Sequence, residues 1–383
     1  MSATATALEI ARPVRSETRI PALDGVRAIA SLAVVLYHFG PHIATDSSSP
    51  FHFLATLPRP GNEGVDLFFV LSGFLISGIL VNARASNRYF QTFYIRRACR
   101  IFPLYYLLLA SYGVAVWVLQ SRKAEFSFLF ASSLPAWCYW LYMQNFFMAA
   151  ANSFGAGWLA PTWSLAVEEQ FYLTLPAIVR RVTDRQLAVV AGLAMIGPLV
   201  LRAIIQKFGL VSPVGAYVLL FTRVDALAAG ILVMLATRHY SHWLKPRRAA
   251  IGILAGLTML LWFVCPLSYQ VSTRFQFTVY TQNALAFGLF LLYVTIAPQG
   301  WLGRFLSVSW MRMLGNMAYS TYMFHLIVLW LAFLWLRGSD PALSSSADFL
   351  PILVALVLTL LLSFASFRFF EKPLMQIGHR YSY

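Results

Sequence analysis

GVDLFFVLSGFLISGILVNARASNRYFQTFYIRRACRIFPLYY, residues 64–106, is the stretch whose reading decides the fold. Its first part, 64–82, is long and apolar enough to cross a bilayer, which takes about 20 mostly apolar residues per helix. Five arginines follow (Arg84, Arg88, Arg96, Arg97 and Arg100), and a second apolar stretch begins at Ile101. Arginine-rich connections stay on the cytoplasmic side. The segment reads as a span entering from outside, a cytoplasmic turn and a span leaving again.

The rest of the chain extends this pattern. Of its 383 residues 59% are hydrophobic and 11% charged, whereas soluble domains are about a quarter charged. Lys and Arg number 29 against 14 Asp and Glu, a net charge of +15, and the mean hydropathy is +0.68. So apolar a chain is neither disordered nor a soluble nucleic-acid binder, despite its basicity. Cys99, Cys138 and Cys265 are far apart with no C-x-x-C pair, which points to neither a disulfide framework nor a zinc site. An all-α, polytopic membrane bundle remains.

Eleven apolar stretches stand out, at roughly 24–42, 64–82, 101–119, 126–149, 161–180, 186–205, 216–236, 249–266, 277–297, 315–336 and 349–370. If all crossed, the clusters Arg180, Arg181, Arg185 and Arg238, Lys245, Arg247, Arg248 would face outward, against the positive-inside rule. The conflict disappears if 126–149, which holds Pro135 and the interface-type run WCYWLYMQNF, is re-entrant or interfacial. The expectation is ten spans, both termini cytoplasmic, and large outer segments at 43–63 and about 120–160. No cleavable signal peptide is expected, because about twenty polar residues precede the first apolar stretch. Residues 1–20 read as a cytoplasmic tail, 21–373 as one membrane domain without an appended soluble domain, and 374–383 as a short cytoplasmic tail.

Ionisable residues inside spans are costly and mark function or internal pairing. Arg27 and His38 are eleven residues apart, so they share a helix face about 16 Å apart along the axis. Arg97 and Arg100 also share a face; either they fix topology or their guanidinium groups clamp phosphate. Asp66, at the depth of His38, is positioned either to orient the imidazole or to stabilise the start of its own helix. Glu168 lies about 10 Å into its span and about 100° round the helix from Glu169. Arg223 and Asp225 neutralise each other or pair with Glu168. His325 near mid-membrane, with Tyr322 one turn before it, is either a second polar contact in the cavity or a bundle histidine. No H-E-x-x-H spacing or phosphate-cradling glycine loop occurs, and no metal site is expected.

These segments together resemble the membrane acyltransferase-3 family of bacterial O-acyltransferases. The resemblance runs through LDGVRAIASLAVVLYHF, GVDLFFVLSGFLISG, RRACRIFPLYY, WSLAVEEQFYL, RVDALAAG, LGNMAYSTYMFH and EKP at 371–373, in family order over nearly the whole chain. It implies ten helices in a bacterial cytoplasmic membrane. It also implies transfer of an acyl group, commonly acetyl, from acyl-CoA as co-substrate to a hydroxyl of a carbohydrate, with no tightly bound cofactor and no nucleic acid. The family's basic residue, ten residues and His are carried by Arg27 and His38, its paired arginines by Arg97 and Arg100, and its acid by Glu168. His38 is then the catalytic residue, with Asp66 or Glu168 setting its proton affinity, and Arg27, Arg97 and Arg100 serve the acyl donor. Two chemistries fit, His38 as general base, the preferred one, or as acyl carrier. A transporter or flippase of lipid-linked sugars is the main rival, but the inverted repeats usual in transporters are not evident. A non-catalytic scaffold would not need charges in the bilayer.

Overall fold

The computed structural model describes residues 20–43, 59–121, 129–130, 132–264 and 276–383. The described residues are helical, with no strand. The expected tail, over residues 1–19, and Cys265 lie outside them, as does most of the outer segment at 43–63.

The long helices are α1 (Ala22–Phe39), α2 (Gly64–Ala83) and α3 (Tyr89–Ser121). Two short helices follow, α4 (Ala136–Trp140) and α5 (Gln144–Ala151). Next come α6 (Thr162–Arg181), α7 (Asp184–Phe208), the short α8 (Pro213–Val218), α9 (Leu220–Leu244) and α10 (Arg248–Val264). The chain ends with α11 (Val279–Ile296), the short α12 (Trp301–Leu306) and α13 (Ser309–Asn316), then α14 (Ala318–Arg337), α15 (Phe349–Ser366) and α16 (Lys372–His379).

Among the described residues, eight helical segments are long and apolar enough to cross a membrane, and one of them, Pro213–Phe263, is 51 residues long and holds both α9 and α10. Helix α6 has 20 residues, but Glu168, Glu169 and Gln170 make it more polar than those eight. The stretch 126–149 forms no span where it is described: α4 and α5 have 5 and 8 residues, rising only about 8 and 12 Å. Pro135 starts the first of them and a left-handed Asn152 ends the second. Large apolar side chains such as Leu193, Ile196, Leu257, Leu261, Leu353 and Leu361 stay exposed on the outer faces, the surface that lipid covers in a multi-pass membrane protein.

Two features fix the frame of the site. Helices α2 and α9 cross at Gly73 and Gly230, where an added Cβ would lie 2.0 Å from the carbonyl oxygens of Leu227 and Val70 respectively. Small residues at such crossings let helix backbones touch. The positive clusters also meet at one end of the bundle. Arg84 Nη2 donates to Asp184 Oδ1 (2.8 Å), Asp184 Oδ2 meets His239 Nε2 (2.8 Å), and Arg180 donates to the carbonyls of Arg84 and Ser86. The same end holds the C-terminal residues, expected to be a tail. They form α16 and dock on α3, with Thr92 Oγ1 donating to the Ser382 carbonyl (3.0 Å) and Arg96 Nε to that of Tyr381 (2.9 Å).

Candidate active site

Three cavities follow one another along α2. A vestibule is lined by Asp24, Arg27, Asn82, Arg100, Arg238 and Lys372 among others. A middle cavity shares Arg27, Leu75 and Arg100 with it and adds Arg97, Ser72, Glu168 and Tyr172. An outer cavity shares Val65 and Tyr322 with the middle one and holds His38 and His42. The order is the same on each helix. On α1 it runs Asp24, Arg27, His38; on α2 Asn82, Leu75, Val65; on α14 Tyr319, Tyr322, Leu326. The path therefore lies lengthwise in the bundle, basic at one end and aromatic at the other.

The three arginines expected to act together line the middle cavity jointly. Arg27 Nη1 donates to Asp24 Oδ1 (3.1 Å) from the preceding turn. Arg97 lies over the rings of Phe93 and Tyr172, at 6.0 and 5.7 Å. Facing them, Glu168 accepts from Ser72 Oγ (2.6 Å) and Tyr172 OH (3.1 Å). Glu168 thus sits with the arginines rather than beside His38, while Glu169 is not among the residues lining this cavity. Tyr322 forms the neck to the outer cavity, its hydroxyl 2.9 Å from Ser164 Oγ and donating to the Pro161 carbonyl at 3.1 Å.

His38 is half-buried in the wall of the outer cavity. Its Nδ1 lies 2.8 Å from the Val34 carbonyl oxygen and 3.3 Å from Nε2 of the fully buried His325. His42 is a close ring neighbour, with centroids 5.2 Å apart. Around this group stand the rings of Tyr37, Trp163, Tyr217, Tyr280 and Trp330.

Asp66 does not orient His38, contrary to one of the two expectations for it. It occupies the first turn of α2, and its carboxylate is held by Arg223 Nη2 (2.5 Å) and Asn283 Nδ2 (3.0 Å). The expected pairing of Arg223 with Asp225 or Glu168 is also corrected. Arg223 turns toward α2 and lies over Tyr280 (3.9 Å) and Tyr217 (4.9 Å), where aromatic faces attract its charge. Asp225 faces α7, pairing with Arg202 Nη2 (2.8 Å) and accepting from Thr281 Oγ1 (2.8 Å). Residues 223 and 225 are two apart, so they point about 200° apart on the helix. Arg202, Glu63 and Asn283 escaped the sequence reading. Arg202, inside an apolar run, carried the one readable signal, a charge in a span.

The sequence profile of a family described as an acyltransferase domain matches residues 20–368. The chain belongs to the acyltransferase-3 family. Among relatives of this family member, the peptidoglycan O-acetyltransferase OatA of Listeria monocytogenes is 27% identical over 384 residues, covering 95% of this chain and 57% of that protein. YrhL of Bacillus subtilis, provisionally named for the same activity, is 27% identical over 94% of this chain and 56% of its own length. A Staphylococcus aureus (strain COL) protein provisionally named an O-acetyltransferase is 26% identical, covering 94% of this chain and 58% of that protein. The chain thus spans a little over half the length of these relatives. No solved structure matches it.

Proposed function

We propose that this protein is a membrane O-acyltransferase that moves an acyl group, acetyl foremost, from acyl-CoA to a hydroxyl of a carbohydrate. The observation that carries the reading is the single file of cavities from Arg27, Arg97 and Arg100 to His38. The end where the positive clusters meet is assigned to the cytoplasm, and with it the vestibule. The anionic phosphates of CoA are held there by guanidinium groups, which pair with phosphate bidentately. The pantetheine arm extends through the middle cavity. The rise from Arg27 to His38, about 16 Å, is comparable to that arm, so the thioester arrives past Tyr322 at the imidazole.

The outer cavity receives the acceptor, whose pyranose faces suit its aromatic walls. The relatives' names favour a peptidoglycan sugar within the carbohydrate class. His38 takes the proton of the acceptor hydroxyl as its oxygen attacks the thioester carbonyl. The carbon–sulfur bond breaks, the ester forms, and the proton passes on to the departing CoA thiolate. Glu168, beside the arginines, takes part at the donor's arm rather than at His38.

The test is acyl transfer by the full chain purified in detergent, supplied with labelled acetyl-CoA and a peptidoglycan-derived oligosaccharide. Labelled saccharide is expected from the wild type and not from His38→Ala. A labelled, His38-dependent acyl-protein that forms and passes its label on would replace direct transfer by a covalent relay. Translocation of saccharide with no acetyl-CoA consumed would replace the reading by the transporter.

A further inference from the structure

A histidine that serves as a base must have one particular nitrogen bare, and hydrogen bonds at the other nitrogen decide which. The usual device is a carboxylate. Among the described residues none contacts His38: Asp66 is engaged by Arg223 and Asn283, and Glu168 by Ser72 and Tyr172. The group that does contact it is His325.

Two carbonyls fix the protons of this pair. His325 Nδ1 lies 2.7 Å from the Tyr322 carbonyl oxygen, and His38 Nδ1 lies 2.8 Å from that of Val34. A carbonyl only accepts, so a short contact to it requires N–H on each Nδ1. In the neutral ring the other nitrogen is then bare. Nε2 of His325 is therefore an acceptor, and it sits 3.3 Å from His38 Nδ1, where it shares the proton already aimed at Val34. The opposite assignment, His325 Nε2–H donating to His38 Nδ1, would set a bare nitrogen against a carbonyl oxygen at both ends.

We propose that His325 is a positioning residue that, together with the Val34 carbonyl, holds the His38 ring as its Nδ1–H tautomer, leaving Nε2 bare toward the outer cavity. The proposal rests on the reading of His38 as the base. His38 Nε2 has no hydrogen-bond partner among the described residues, and the ring lines that cavity. When Nε2 takes the acceptor's proton, the Nδ1–H contact to His325 becomes charge-assisted and strengthens. His325 is fully buried and stacks with Phe39 at 6.5 Å, so its ring is held while His38 works.

The experiment combines kinetics with a direct view of the proton. His325→Leu removes the acceptor and is expected to lower kcat about 100-fold, within the span typical of acid–base catalysis, with KM for acetyl-CoA unchanged. His325→Gln, whose side-chain carbonyl can accept from His38 Nδ1–H, is expected to recover part of that loss. An unchanged kcat in His325→Leu overturns the proposal, as does a Gln variant no better than Leu at equal folded fraction. Nitrogen-15 spectra of histidine-labelled wild-type protein in bilayers, after subtraction of the His38→Ala spectrum, are expected to show His38 protonated on Nδ1. A proton on Nε2 overturns it independently of any variant's folding. Loss of transfer in His38→Ala beside normal kcat in His325→Leu would refute this inference alone. Normal transfer in His38→Ala would refute the underlying reading.

Discussion

Arg223 shows what a buried charge needs in this bundle. It is 1% exposed, paired with the equally buried Asp66, and surrounded by the rings of Tyr280, Tyr217, Trp163 and Phe69. Its Nε and Nη1 find no hydrogen-bond partner among the described residues, so Asp66 and the aromatic faces together compensate its lost hydration. Removing one partner of such a pair strands the other, at a cost of about 3–5 kcal/mol. Asp66→Ala is therefore expected to lower the unfolding midpoint in detergent markedly; an unchanged midpoint would contradict the pairing. At this scale the sequence marked Arg223 and Asp66 as buried charges and misjudged their partners. A charge inside an apolar run is visible from its neighbours in sequence. Its counter-ion depends on which faces of α2, α7, α9 and α11 meet, and no local pattern encodes that. His38 and His325 illustrate the same limit: each stood out alone, while their contact spans 287 positions.

Helix ends are encoded more locally than helix contacts. Thr183 and Gln186 form a capping box that starts α7, and Gly209 closes it with φ +62°, the left-handed conformation that glycine adopts without strain. Pro135 and the run of Trp and Tyr after it also announced correctly that 126–149 is not an ordinary span. The close crossing of α2 and α9 was not legible, because Gly73 and Gly230 resemble any other small residues in a span. Gly230→Ala is expected to push these helices apart and destabilise the fold by about 1–3 kcal/mol, as overpacking does. Because α2 lines all three cavities, acyl transfer is expected to fall as well. Thermal unfolding and transfer assays on one preparation check both, and a variant matching the wild type in each would contradict the crossing's role. Residues 374–383, read as a short cytoplasmic tail, carry most of α16 and dock on α3, a partner that no local pattern announces.

At the scale of the whole molecule, the excess of positive charge has two separable roles. Much of it gathers at one end of the bundle, where Arg84 and Arg238 meet Asp184 and Arg180 donates to the Ser86 carbonyl. Arg27, Arg97 and Arg100 instead line the path inward. Charge counts along the sequence suggested the first role, and the helical spacing of Arg27 with His38 suggested the second. The path itself, with its neck at Tyr322, needed the fold. The central claim is that donor binding and proton transfer belong to opposite ends of this path. It is tested most directly by measuring acetyl-CoA affinity by calorimetry, alongside turnover, for Arg97→Ala, Arg100→Ala and His38→Ala. A hydrogen bond between a guanidinium group and phosphate is worth about 1.5–3 kcal/mol, so the arginine variants are predicted to bind acetyl-CoA at least about tenfold more weakly. His38→Ala is predicted to bind it as the wild type does and to transfer nothing. Wild-type affinity in both arginine variants, or sustained turnover in His38→Ala, would contradict the account.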